Sequence, residues 1–196
     1  MKTLGMIGGM SWESTLVYYQ LLNRMTRERL GGTHSAPLIL WSVDFAPIAV
    51  MQAQGRWDAA TAVLVDASRR IEQAGAEGLL ICANTMHRMA DEVQAAVSIP
   101  LVHVADATAA AIRAAGVERP LLLATRYTME QAFYRDRLAA RGVQAVIPGP
   151  DDRARLQSII YDELIQGVFR PDSKAAILDI IAAFESGRKT PCISSS

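Results

Sequence analysis

Cysteine and lysine are both scarce in this chain. Among its 196 residues the cysteines are Cys82 and Cys192 alone, too few for the disulfide framework of a small secreted domain. Lysine occurs only at Lys2, Lys174 and Lys189, so the basic side is mostly arginine. Net charge is also lacking: 20 basic residues meet 20 acidic ones. That balance removes the positive field by which nucleic acids and anionic membranes are bound. No apolar run is long; residues 78–83 and 121–124 are among the longest, far short of a bilayer span. Gly8-Gly9 breaks the apolar stretch at the N-terminus, which does not read as a signal peptide. What is present is 51% hydrophobic and 20% charged, excluding a disordered chain. The expectation is a soluble globular protein of a reducing, cytoplasmic compartment, with one or two compact domains.

Short β-type runs alternate with longer amphipathic stretches. Strands are expected over 3–7, 37–43 and 78–82, and helices over 12–30, 57–73 and 85–96. The strand over 37–43 is apolar except for Ser42 and reads as buried on both faces. A second half repeats the rhythm. It has strands over 100–104, 120–124 and 143–147, and helices over 106–115, 128–141, 151–166 and 173–185. Strands separated by helices of this length imply βαβ units and parallel sheets. The fold class expected is therefore α/β, with two pseudo-symmetric lobes, each a parallel sheet flanked by helices, and a cleft between them. The first lobe spans 1–98, the second 99–186, and Ser98-Ile99-Pro100 is the hinge candidate. Residues 187–196 are poor in apolar side chains and read as a disordered tail.

Ligands of open parallel sheets sit beyond the carboxyl ends of the strands. Three strand-to-helix turns occupy that place: Gly8-Gly9-Met10-Ser11, Cys82-Ala83-Asn84-Thr85 and Thr125-Arg126-Tyr127-Thr128. Each offers backbone N–H groups to a carboxylate or phosphate. Gly5-x-x-Gly8-Gly9 lacks the G-x-G-x-x-G spacing and no G-K-[ST] occurs, which argues against a nucleotide. The Gly8-Gly9 pair also fits a tight turn between strand and helix. Cys82 has two readings. It is either a small hydrophobe closing a buried strand, or a thiol whose pKa a following helix would lower towards neutrality, poised as acid, base or nucleophile. His34, His87 and His103 show no metal-ligand spacing. His87 fits an auxiliary acid or a surface side chain. The stretch 51–57 is either a connection or a cover over substrate. Arg24, Arg27 and Arg29 read as solvated charge.

Three segments together, Gly8-Gly9-Met10-Ser11-Trp12-Glu13-Ser14-Thr15, Cys82-Ala83-Asn84-Thr85-Met86-His87 and Thr125-Arg126-Tyr127-Thr128-Met129-Glu130, closely resemble the aspartate/glutamate racemase family. The resemblance implies a cofactor-independent isomerase that needs neither pyridoxal phosphate nor metal, and a small amino acid, aspartate or glutamate, as substrate. A homodimer is the expected assembly, with no nucleic-acid or membrane partner. Cys82 matches the first of two family cysteines, one from each lobe, that exchange the α-proton; a thiol suits this because thiol and thiolate are both accessible near working pH. Asn84 and Thr85 match residues that hold the substrate's carboxylate and ammonium. Met10, Ser11, Gln52 and Thr125 match positions lining the pocket. Ala83 stands where Thr is commonest, and its backbone N–H is still available to donate.

The resemblance departs at the far end. The family's second cysteine sits in a Gly-Cys-Thr-Glu segment after a strand. Cys192, in Thr-Pro-Cys-Ile-Ser, has neither and does not inherit the role. A truncation or frameshift near Ser186 is the expectation, with racemisation absent or very weak. Two alternatives stay open: a one-cysteine decarboxylase or isomerase of small dicarboxylates, and an inactive carboxylate-binding module.

Overall fold

The computed structural model describes residues 1–186; the expected disordered tail and Cys192 lie outside the described residues. The protein is α/β, a parallel sheet flanked by helices. It divides into two compact units, Met1–Val104 and Ala105–Ser196. The division falls beyond Ser98-Ile99-Pro100. That segment is tied down within the first unit, because the Glu72 carboxylate accepts from Ser98 N at 2.7 Å, Ser98 Oγ at 2.6 Å and Ile99 N at 3.2 Å.

The first unit runs β1 (Leu4–Gly8), α1 (Trp12–Leu30), β2 (Leu38–Ser42), α2 (Phe45–Ala53), α3 (Trp57–Gln73), β3 (Gly78–Ile81), a 3-10 turn (Thr85–Met89) and α4 (Ala90–Ala95). The sheet order is β2-β1-β3, with both pairings parallel. Strand β1 is central, and its Met6 and Ile7 are fully buried. Helix α3 covers one face through Ala60, Leu64, Ala67, Ser68 and Ile71, a stripe at i, i+4, i+7, i+8 and i+11 that helical periodicity demands. Of these, Ala60, Leu64, Ala67 and Ile71 form one core with Ile7, Leu79, Ile81, Met86, Met89 and Val93.

Three expectations are corrected here. Strand β2 is not buried on both faces. It is the sheet edge, and Leu40 and Trp41 are 46% and 39% exposed. Apolar composition does not tell a central strand from an edge strand. The stretch 51–57 is not simply irregular: Met51, Gln52 and Ala53 end α2, a helix capped where the Asp44 side chain accepts from Ala46 N at 3.1 Å. The helix expected over 85–96 is a five-residue 3-10 turn followed by α4, and Met89 between them has φ −103° and ψ 18°. The segment 100–104 keeps a single parallel bridge, Leu101 with Leu79.

The second unit contains α5 (Val104–Ala114, from Ala105 onward), α6 (Arg126–Glu130), α7 (Ala132–Ala140), α8 (Pro150–Asp162), a 3-10 turn (Leu164–Gln166) and α9 (Pro171–Glu185). Its two extended segments meet in one parallel bridge, Leu121 with Val146, flanked by Leu122 N to Val146 O at 2.8 Å and Val146 N to Pro120 O at 2.9 Å. The helix expected over 128–141 breaks at Gln131, whose ψ of 148° is extended. Ala124, Met129, Leu156 and Ile180 form the core, with Leu121–Leu123, Ile147 and Ile177 packed on it. Asp106 joins α5 to α7 by paired bonds to two guanidinium groups, Arg137 at 2.9 and 2.8 Å and Arg141 at 3.1 Å twice.

Two outcomes follow. Gly9 has φ +90°, and a Cβ there would run into the Val43 backbone. Gly9→Ala should cost at least about 2 kcal/mol, read from the urea midpoint; an unchanged midpoint would show that the turn can relax. Hydrogen bonds from Arg137, then Arg141, hold the Asp106 carboxyl far below the usual carboxylate range. Its stabilising effect is whole above the unfolded value of about 3.9 and declines from there until pH has fallen through the lower native value. Asp106→Asn should remove about 1 kcal/mol at pH 7, the pair being partly exposed, and clearly less at pH 2. Equal losses at both pH values would contradict the assignment.

Candidate functional site

The carboxyl ends of β1 and β3 lie side by side, and the chain turns sharply after each. Beyond β1, Gly9 N donates to Thr15 Oγ1 at 2.9 Å and Val43 N donates to Gly8 O at 3.0 Å. This lays the first turn of α1 across the strand ends. A Cβ on Gly8 would collide with the Thr15 side chain and Leu40, so the approach needs glycine. Beyond β3, Cys82 N donates to Ile7 O at 2.9 Å, and Ser14 Oγ donates to Cys82 O at 2.8 Å. The backbone of Cys82 is thus fixed from β1 on one side and from α1 on the other.

The next two carbonyls are held as well. Ala83 O pairs with His87 Nδ1 at 2.9 Å, and Asn84 O accepts from His87 N at 3.0 Å. The backbone N–H groups of Ala83 and Asn84 meet no acceptor among the described residues. Ala83 is half-buried and Asn84 exposed, while Thr85 is buried. A turn with its carbonyls occupied and two N–H groups unused can receive a carboxylate.

Cys82 is a free thiol with no exposed surface. Burial pushes its pKa up to about 12, the reverse of the lowering expected from a following helix. Only a single 3-10 turn follows Cys82, so few aligned peptide dipoles oppose the loss of water. At neutral pH the Cys82 side chain is therefore held as the thiol.

The other sequence candidates divide between the units. In the first, Met10 is buried, and Ser11 precedes α1 without a side-chain cap; its carbonyl accepts from Thr15 Oγ1 at 3.2 Å and lies 3.0 Å from Ser14 Oγ, whose single proton is directed to the nearer Cys82 O at 2.8 Å. Gln52 is buried at the end of α2, its Nε2 donating to Met86 Sδ at 3.1 Å, which ties α2 to the 3-10 turn after Cys82. His87 is neither on the surface nor an open acid. It is 3% exposed and its ring lies 4.6 Å from that of His103. In the second unit, Thr125 caps α6, its Oγ1 accepting from Thr128 N at 3.4 Å. Beside it Arg126 lies over the Tyr127 ring at 4.9 Å and donates to the Tyr127 hydroxyl at 3.1 Å. Ser14 was overlooked as a site residue. The available signal was its place three residues after Ser11, in the first turn of α1. Among the described residues no three His, Cys, Asp or Glu side chains cluster as metal ligands, and no helix is long and apolar enough to cross a membrane.

The profile of the Asp/Glu/hydantoin racemase family matches residues 7–190. A candidate Asp/Glu racemase from Yersinia pestis is 46% identical with a TM-score of 0.86, the match covering 95% of this chain and 82% of that one. An aspartate racemase homologue from Pyrococcus horikoshii is 35% identical with a TM-score of 0.79, covering 95% and 81%. Picrophilus torridus aspartate racemase shares the fold, at 23% identity and a TM-score of 0.72, covering 96% and 77%.

The thiol assignment sets a reactivity. With a pKa of about 12, the thiolate fraction at pH 8 is roughly a thousandfold below that of an ordinary cysteine. Iodoacetamide at pH 8, followed by peptide mass mapping, should label Cys82 at least about a hundredfold more slowly than a free cysteine peptide. Labelling at the free-peptide rate would mean an exposed or acidified thiol.

Proposed function

We propose that this chain, which belongs to the Asp/Glu/hydantoin racemase family of isomerases, exchanges the α-proton of a small acidic amino acid, aspartate or glutamate, through Cys82. The observation that carries the reading is the pairing, in one turn, of a dry thiol with the two unused N–H groups of Ala83 and Asn84. A carboxylate received by those N–H groups brings its α-carbon next to the residue that bears the thiol. Their positive ends also favour the charge that moves into the carboxylate as the Cα–H bond breaks.

An α-ammonium beside the sulfur lowers the thiol pKa by charge attraction, and the proton leaves to solvent. The Cys82 thiolate then takes the α-proton and becomes the thiol, while the Cα–H electron pair moves into the carboxylate held by the N–H groups. The S–H exchanges with solvent deuterium, and the thiol returns a deuteron to the α-carbanion from the same face, leaving the thiolate again. Asn84 and Thr85 hold the substrate's polar groups, and Met10, Ser11 and Gln52 bound the pocket in the first unit. Cys82 has no exposed surface, so the groups over it move aside when substrate enters. Inversion needs a second acid on the opposite face of the α-carbon. Cys192 stands in Thr-Pro-Cys-Ile-Ser and lacks the Gly-Cys-Thr-Glu context of the family's second cysteine, so the 196-residue chain is expected to invert far more slowly than it exchanges. No cofactor enters this scheme, and a homodimer in the cytoplasm completes it, the dimer being read by sedimentation equilibrium.

The test is incubation of each enantiomer of aspartate and glutamate in deuterated water. Loss of the α-proton signal is followed by NMR and inversion by chiral chromatography. The expected result is exchange that Cys82→Ser and Cys82→Ala both abolish, with the Ala variant keeping its thermal midpoint. Full exchange in the Ser variant would refute the role of Cys82. Release of carbon dioxide from a dicarboxylate, without exchange, would turn the same proton donor to decarboxylation.

A further inference from the structure

We propose that His87, together with Ser14, is a positioning residue that aims the unused N–H groups of the Cys82-Ala83-Asn84 turn at a ligand carboxylate. The inference deepens the reading of Cys82 given above and rests on it for the identity of the ligand. A trans peptide unit is planar, with its C=O and N–H on opposite sides. The only cis bond among the described residues is Met10–Ser11, so this rule governs the turn after Cys82. Holding a carbonyl therefore points the N–H of the next residue the other way. Ser14 Oγ holds Cys82 O at 2.8 Å and so directs Ala83 N–H. His87 Nδ1 holds Ala83 O at 2.9 Å and so directs Asn84 N–H. A flip of either peptide would present a carbonyl oxygen to the ligand and repel a carboxylate.

The ring of His87 is itself set for this task. Val104 N–H donates to His87 Nε2 at 3.2 Å. That nitrogen is thereby the acceptor, and the ring proton sits on Nδ1, facing Ala83 O. The contact with the His103 ring, 4.6 Å between centroids and 58° between planes, buries the other side of the imidazole. Burial of 3% and 6% residual exposure for the two rings keeps water from competing for Ala83 O. A histidine is needed because one ring both accepts from Val104 and donates to Ala83 at a fixed separation. Asparagine places its amide N–H near the position of Nδ1, while glutamine reaches only the position of Nε2.

Calorimetric titration with succinate tests this, since succinate supplies carboxylates and undergoes no α-proton exchange with inversion. Ser14→Ala, His87→Ala and His87→Gln should each weaken succinate binding by about tenfold, the worth of one hydrogen bond to a charged group. His87→Asn should stay within about threefold of the parent. Thermal midpoints are recorded alongside. A merely structural histidine would lower the midpoints of the Asn and Gln variants alike, and affinity would follow stability instead of separating the two. Equal affinities for the Asn and Gln variants, failure of all three His87 variants to fold, or a parent that binds no succinate would each overturn the proposal. The titration reads the turn and the exchange assay reads the thiol, so one can fail while the other stands.

Discussion

Strand β1 has a parallel neighbour on each side, and its last residues set the position of every group around Cys82. Ile7 O receives Cys82 N, Gly8 O receives Val43 N, and Gly9 N reaches the hydroxyl of Thr15. These bonds join β3, the exit of β2 and the first turn of α1 to one strand end. The sheet interior around Met6 and Ile7 is dry, and leaving such backbone groups unpaired there would be costly. The glycines at 5, 8 and 9 let α3, α1 and the β2 exit close in on that strand. The turn that bears Cys82 inherits its rigidity from this junction.

The same packing decides the chemistry. Drawing Cys82 out of water raises the thiol pKa to about 12, and one 3-10 turn supplies too little field to reverse it. A buried thiol holds its proton firmly. In the proposed exchange, the ligand's own charge is what makes the thiolate accessible. Around the sulfur, side chains stand guard over backbone: Ser14 and His87 occupy carbonyls, and under the proposed function the recognition of a carboxylate falls to main-chain N–H groups. Such a scheme tolerates Ala83 where a hydroxyl side chain is usual in the family, because the donor belongs to the backbone.

Much of this was legible in the order of residues. The alternation of short apolar runs with longer stretches placed helices α1 and α3 with their observed ends, Trp12–Leu30 and Trp57–Gln73, because a glycine follows shortly after the last turn of each, Gly31 and Gly75. Cys82-Ala83-Asn84-Thr85 was recognisable as a strand-end turn from its small polar residues. Less was legible where neighbours decide. Leu38–Ser42 is as apolar as a central strand, yet it lies at the edge. Phe45–Ala53 hid as a helix because its pattern is apolar nearly all round. Gln131 extends the backbone inside a stretch whose periodicity reads as one continuous helix.

The sequence by itself determined the α/β class, the family and the place of the turn after β3, because periodicity, glycine placement and motif order are local properties of the chain. The tertiary structure alone decided the charge state of Cys82 and the use of His87. Desolvation depends on everything packed around a group, and a hydrogen bond depends on which atoms the fold brings within 3 Å or so of one another. Nothing in the spacing of His87 to Val104 announces that one imidazole will take a proton's bond from one and give it to Ala83. That pairing exists only once the chain beyond β3 has closed back against its own 3-10 turn.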